Sequence, residues 1–465
     1  MSNRSPDDLR RERRALLRLG LTGAAVAAFP SPLYASAERL ARPERPFLDA
    51  ALRAARWIRA ARIDTPNGCT WPADPLDQKS VSRDLYTGAA GVILFCLELY
   101  EQTADPSHLA EASRGADDLV VAIDRDAIPT SGLYDGVAGV MFVLAEVYRA
   151  SLDPRYWHAV ERCRDLLAQR ARRTDRGVEW NDSTDVISGA AGIGLALLDL
   201  HRRFGDRACA ELARGAAERL VVLGEPDGDG SRWMLSPRVD REYPNFSHGT
   251  AGVAYFLATA YGATRELEFL QAAIQGATYL KRIARTNDYQ CLIFHHTRGG
   301  EDRYYLSWCH GPAGTARLFH RLGQVTDDRA WREWVERAAR AITASGIPEH
   351  RTPGFWNNVS LCCGNAGVAD FFLELHRTYR DAAALPFARR VVEDLLHRAT
   401  VDGTGMRWVQ AEHRARPELL IAQTGYMQGA AGIGTLLLKF DALERGVRPR
   451  VVMPDSPFRG GTVAA

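Results

Sequence analysis

Three of the eight cysteines stand directly ahead of glycine pairs: Cys309 before His310-Gly311-Pro-Ala-Gly314, and Cys362-Cys363 before Gly364-Asn-Ala-Gly367. A group of three thiolates suits Zn²⁺, which takes soft sulfur ligands and keeps a fourth position open where it is catalytic. The other five, Cys69, Cys96, Cys163, Cys209 and Cys291, are scattered and read as buried structural thiols. Two plainer readings stand beside the metal: a Cys309–Cys362 disulfide in an oxidising compartment, or thiols with nothing bound. Eight cysteines in 465 residues are too dilute for a disulfide scaffold, so their positions carry the information.

The elements that must position these residues are internal repeats. Gly-x-x-Gly followed by an apolar run occurs seven times, with first glycines Gly88, Gly136, Gly189, Gly249, Gly311, Gly364 and Gly429, spaced by 48, 53, 60, 62, 53 and 65 residues. Each run reads as an apolar helix, as in Val253–Tyr261. Amphipathic segments at 47–63, 108–123, 155–172, 207–223, 267–284, 328–344 and 387–399 supply a second helix per repeat. No stretch alternates strongly enough to require a central sheet. A period holding two helices is a helical hairpin. The uniformly apolar first helices suit burial inside a ring better than an open solenoid with exposed ends. The sequence therefore predicts an all-α fold, a closed (α/α)7 toroid. Its glycines let each inner helix start close to its neighbours, because no Cβ intervenes.

A closed ring brings the inner-helix N-termini to one mouth. Thr87, Asp135, Ser188, His248, His310, Cys363 and Gln428 immediately precede the first glycines, and Tyr86, Tyr134, Ile187, Ser247, Cys309, Cys362 and Met427 lie one position earlier. The nearer set is polar throughout. Converging helix N-termini favour thiolates and anionic ligands.

Hydrophobic residues at 46% and charged residues at 25% fit a soluble globule, and 59 basic against 57 acidic residues leave no basic field for nucleic acid. Residues 1–37 read as an export signal of twin-arginine type. Arg13-Arg14 precedes a short apolar run to Phe29, and Ala35-Ser-Ala37 follows. On that reading the protein is exported; without it, cytoplasmic. The run is too short to span a bilayer, so no integral membrane protein is expected once the signal is removed. The toroid is expected over 38–447 and an irregular tail over 448–465.

Four motifs go further: Asp185-Val-Ile-Ser-Gly-Ala-Ala-Gly192, Ser247-His-Gly-Thr-Ala-Gly252, Trp308-Cys-His-Gly-Pro-Ala-Gly314 and Leu361-Cys-Cys-Gly-Asn-Ala-Gly367. With the seven repeats, they make the chain from about residue 40 to 445 resemble the lanthionine synthetase C-like proteins, the lantibiotic cyclases and their eukaryotic relatives. The resemblance implies an α/α toroid with Zn²⁺ at one mouth. Cys309 and Cys362 match the family's two cysteine ligands, and Cys363 stands where a histidine ligand is usual. Three thiolates on Zn²⁺ give a site of net charge −1, a weaker Lewis acid that leaves a bound substrate thiolate more nucleophilic.

The implied reaction adds a cysteine thiolate to dehydroalanine or dehydrobutyrine within one peptide. By the same resemblance, His248 is the acid/base that handles the proton and Asp185 its partner carboxylate. The plainer readings are a structural rim histidine and a carboxylate favoured by a helix N-terminus. His310 would lie just behind the metal or stabilise the enolate. Arg303, six residues before Cys309, is a candidate for the basic residue that some members hold near the site, although Tyr305 stands closer to the expected position.

The expected partner is a dehydrated, cysteine-containing peptide, made by a separate dehydratase since none fits in the chain. A second enzyme reading is addition of glutathione or another thiol to dehydroamino acids in damaged proteins. Two other classes remain: a zinc-bearing peptide-binding toroid without turnover, and an α/α-barrel carbohydrate hydrolase. The hydrolase needs paired carboxylates, whereas the mouth offers Asp135 and Asp185 beside three thiols and two histidines.

Overall fold

Every Gly-x-x-Gly opens a helix, its first glycine serving as the N-cap. In the computed structural model, which describes residues 44–287, 290–350, 358–413 and 416–458, fourteen helices follow in chain order. They are α1 (Pro46–Ala60), α2 (Ala89–Thr103), α3 (Pro106–Asp124), α4 (Val137–Ser151), α5 (Pro154–Arg170), α6 (Ala190–Phe204) and α7 (Arg207–Val222). Then come α8 (Thr250–Thr264), α9 (Leu267–Ile283), α10 (Pro312–Thr326), α11 (Ala330–Ala344), α12 (Asn365–Tyr379), α13 (Ala384–His397) and α14 (Ala430–Glu444). The expected signal at 1–37 lies outside the described residues.

Even-numbered helices form the inner ring and odd-numbered ones the outer ring. Inner α8 buries consecutive residues from Thr250 to Ala258, as a helix enclosed on all sides must. Outer α11 buries only the stripe Val335, Ala338, Ala339, Ala341 and Ile342, while Arg332–Glu336 and Arg337–Glu333 pair on its exposed face. Outer helices also carry strong start signals. Pro106 and Pro154 follow Asp105 and Asp153, whose carboxylates accept from the amides of Ser107 and Arg155.

Each inner helix packs on the inner helix before it, and α14 packs on α2. The first outer helix, α1, pairs with the last inner helix, α14, and so completes the seventh hairpin. Arg45 onward forms one compact unit, a toroid of seven helix pairs.

The glycines are required by close approach. The loop before each pair folds over the helix end, so its carbonyls take the first amides; Asn365 N, for example, donates to Asn358 O at 3.1 Å and Ala430 N to Gln423 O at 2.8 Å. A Cβ on Gly249 would lie 1.3 Å from Tyr243 O, and one on Gly314 would lie 1.8 Å from Trp308 O and 2.8 Å from the Cβ of Phe246 in the preceding repeat.

Six two-stranded hairpins, five of them directly after outer helices, are the only sheets among the described residues. They return the chain toward the mouth. Trp180, Trp233 and Trp408, each just past one, donate their indole N–H to Leu167, Leu220 and Leu395 carbonyls at 2.7 Å. Among the described residues, no helix is long and apolar enough to cross a membrane.

The expected tail is irregular in backbone as far as Phe458, but it does not trail into solvent. Val451, Asp455 and Phe458 are buried, inside the ring of inner helices.

Candidate metal centre

The seven loops at the mouth are tied by a closed ring of backbone hydrogen bonds. Tyr86 N donates to Tyr134 O, Tyr134 N to Ile187 O, Val186 N to Ser247 O, Ser247 N to Cys309 O, Cys309 N to Cys362 O, Cys362 N to Met427 O, and Met427 N back to Tyr86 O, all at 2.9–3.1 Å. One residue per repeat serves as both donor and acceptor, except in the third, where Ile187 accepts and Val186 donates.

This ring fixes the sulfurs. Cys309 and Cys362 are hydrogen-bonded neighbours in it, and Cys363 is the next residue along. Cys363 Sγ lies 3.4 Å from both Cys309 Sγ and Cys362 Sγ, and the three atoms all fall within 4.8 Å of one another. Sulfurs 2.3 Å from a tetrahedral ion would be about 3.8 Å apart, so the donor set and its spacing fit Zn²⁺ after a few tenths of an ångström of spreading. All three cysteines are free thiols, which leaves the disulfide reading without support. The neighbouring thiols of Cys309 and Cys362 hold Cys363 well below the ordinary thiol value, and His248 lies near enough to add to that effect. Burial pushes Cys309 and Cys362 up.

Two residues of the mouth, Tyr86 and Gln428, support the sulfurs. The Tyr86 hydroxyl donates to Cys362 Sγ at 2.9 Å and accepts from Gln428 Nε2 at 2.9 Å, and the same amide lies 3.9 Å from Cys363 Sγ. Gln410 in turn donates to the Gln428 side-chain oxygen at 2.8 Å. Among the described residues, no other group of three or more metal-ligating side chains is this close.

Beside the sulfurs stands His248. Its Nδ1 is 2.6 Å from Oδ2 of Asp185, whose other oxygen accepts from the Ser188 amide at 3.0 Å. Asp185 is buried, while His248 is a third exposed. Further round the ring, the Ser188 hydroxyl donates to Asp135 at 2.7 Å, and burial raises the Asp135 carboxyl above its ordinary range.

His310 is buried, its ring centroid 5.6 Å from that of His248 and 4.0 Å from that of His295, on which it stacks. Burial, reinforced by His295, His248 and His296, pushes the His310 imidazole well below the usual histidine range. Tyr243 packs beside both, 6.2 Å from His248 and 5.7 Å from His310. His295, His296 and Tyr243 also line the site, and the repeat register does not mark them because none stands just ahead of a glycine pair. The adjacent pair His295-His296, in a chain of twelve histidines, was the available signal.

Arg303 is not brought into this group. Its guanidinium is more than a third exposed and lies 4.0 Å from Asp302. Tyr305 is buried instead, its ring 4.2 Å from His295. The side chain two residues nearer to Cys309 is the one that reaches the site.

A helical-hairpin toroid with a sulfur triad on its rim defines a class. The chain belongs to the lanthionine synthetase C-like protein family, whose profile matches residues 79–452. Among solved structures it is similar to nisin cyclase, with a TM-score of 0.61 and 17% identity over 88% of this chain and 97% of that one. An α-mannanase from Bacteroides thetaiotaomicron aligns with a TM-score of 0.49 and 11% identity over 87% of this chain and 98% of the other. At 17% identity the likeness to nisin cyclase is one of fold. No curated protein matches the chain in sequence.

Proposed function

We propose that the protein is a zinc-dependent cyclase that joins a cysteine thiol to a dehydroalanine or dehydrobutyrine of a modified peptide, forming a thioether. The observation that carries this reading is the sulfur triad Cys309, Cys362 and Cys363 on the same rim as the His248–Asp185 pair, in a chain of this family.

Zn²⁺ held by the three cysteines would supply an open position and a charge that favours ionisation of a substrate thiol there. Asp185 fixes the His248 ring and keeps the proton on Nδ1, which leaves Nε2 to exchange a proton with the substrate. The substrate sulfur gives up its proton to His248 Nε2 and bonds to the β-carbon of the dehydroamino acid. The π pair moves toward the α-carbon and its carbonyl, and the proton on His248 Nε2 goes to that α-carbon. Bonds and charges balance without an oxidant or reductant, and the product is an isomer of the peptide.

The test is a synthetic peptide carrying one dehydroalanine and one cysteine. With zinc-loaded protein, the free thiol should disappear from iodoacetamide labelling while the mass stays unchanged, and fragmentation should locate the new ring. A rate no faster than without protein, at one zinc per chain, would overturn the reading.

A further inference from the structure

The C-terminal segment crosses the lumen of the toroid. Glu98 of α2, fully buried, accepts from the amides of Arg450 at 3.2 Å and Val451 at 2.8 Å. Arg203 of α6 donates to the Val452 carbonyl at 3.2 Å, and Gln324 of α10 to the Pro457 carbonyl at 3.2 Å. Phe458 stacks on His320 at 4.6 Å. With Tyr134, Trp308 and Arg317, the segment borders a cavity of about 840 Å³.

Where the segment meets the rim, the contact is Asp455. Its carboxylate is 1% exposed. Oδ1 accepts from the Tyr134 hydroxyl at 3.1 Å and Oδ2 from the Trp308 indole N–H at 3.0 Å, with Arg317 Nη1 3.4 Å away. Both close donors belong to the mouth. Tyr134 is a link of the backbone ring, and Trp308 is bonded to Cys309. The Tyr134 ring also packs edge-on against Trp308 at 5.2 Å and Tyr86 at 6.3 Å, and the Tyr86 hydroxyl donates to Cys362. A buried carboxylate with two such donors is held in one place, because leaving any of the three unpaired costs the desolvation of that group.

We propose that Asp455 is a positioning residue for the sulfur triad. From inside the lumen it holds Trp308 and Tyr134, and through them fixes Cys309 and the hydroxyl that supports Cys362. The segment is then an internal strut rather than filler. The zinc half of its test rests on the metal reading given above; the other half does not.

The experiment uses the full chain carrying Asp455→Asn, Trp308→Phe or Phe458→Ala, the last removing a buried contact of the same segment that does not touch the rim. Zinc affinity is read by chelator competition. In metal-free protein, the alkylation rates of Cys309, Cys362 and Cys363 are read residue by residue by mass spectrometry, with Cys163 and Cys209 as internal references. Asp455→Asn and Trp308→Phe should weaken zinc about tenfold and speed alkylation of Cys309 relative to the references. Phe458→Ala should lower Tm but leave both readouts at wild type. Asp455→Asn behaving as wild type in both, or Phe458→Ala matching it in both, would overturn the proposal. If Asp455→Asn does not fold, Trp308→Phe breaks the same bond from the other side. If wild type itself binds no zinc, the cyclase reading fails, and the alkylation rates still decide the role of Asp455.

Discussion

His248 faces Asp185 across two neighbouring repeats, Nδ1 to Oδ2 at 2.6 Å, with the carboxylate buried and the imidazole partly open. Neither side chain hydrogen-bonds to a cysteine sulfur, so proton handling and metal binding should separate. Asp185→Asn and His248→Asn are expected to lower kcat for thioether formation by about 10²–10⁴-fold at unchanged zinc content. Thiol-loss kinetics together with metal analysis check this; loss of zinc in either variant would place the pair in the metal site instead.

Cys363 is the sulfur that closes the triad, 3.4 Å from both others. Cys363→Ala should abolish stoichiometric zinc, because two thiols fall one short of the three protein ligands that even an open zinc site keeps. Cys363→His restores a third donor of the type the family usually carries there and should recover the metal. Elemental analysis of the two purified variants decides it.

The Tyr86 hydroxyl donates to Cys362 Sγ at 2.9 Å and accepts from Gln428. Tyr86→Phe removes that donor while keeping the ring in place. Zinc affinity should fall about tenfold with little change in Tm, as read by chelator competition and thermal melting.

Gly314 and Gly323 lie in the same repeat and should respond in opposite directions to alanine. At Gly314 the new Cβ would meet Trp308 O at 1.8 Å, and the displaced Trp308-Cys309 backbone should cost about 3 kcal/mol. At Gly323, inside α10, the nearest atom is 3.6 Å away, so alanine should stabilise by about 0.5–1 kcal/mol. Urea unfolding of both variants measures the difference.

Burial lowers the His320 imidazole from 6.5 to about 4. Gln324 Nε2 faces its Nε2 at 2.9 Å, and the Tyr379 hydroxyl faces its Nδ1, an arrangement that suits the neutral ring. The unfolded chain therefore takes up this proton first. Stability tied to His320 is fully present above pH 6.5 and is lost as pH falls from about 6.5 to 4, by up to about 3 kcal/mol. His320→Phe should flatten that acid limb in denaturation curves recorded between pH 7 and 4.

The repeats made much of this structure legible in advance. Gly-x-x-Gly fixed the start of every inner helix, because only glycine lets the preceding loop fold over the helix end. The apolar run behind each pair is the inner helix, and the amphipathic segments are the outer ring, displaced by only a few residues at ends such as Phe47–Ile63. The same register marked Cys309, Cys362, Cys363 and His248 as residues of one mouth, and the family resemblance added Asp185. Arg303 misled because counting residues cannot say which of two nearby side chains in an irregular loop turns inward; the loop turned Tyr305 in and left Arg303 beside Asp302.

What the sequence determined by itself was therefore local and periodic: fourteen helices, their alternation, and the residues riding at one recurring position. Tertiary structure alone decided what depends on ring closure. Pairing α1 with α14 brings Tyr86 to Met427 and closes the hydrogen-bond circle that holds the three sulfurs within 4.8 Å of one another. It also encloses the lumen in which Asp455, 146 residues after Cys309, reaches Trp308. No window of sequence contains both partners of such a contact, since a carboxylate in an aperiodic segment carries no sign of the cavity that will take it.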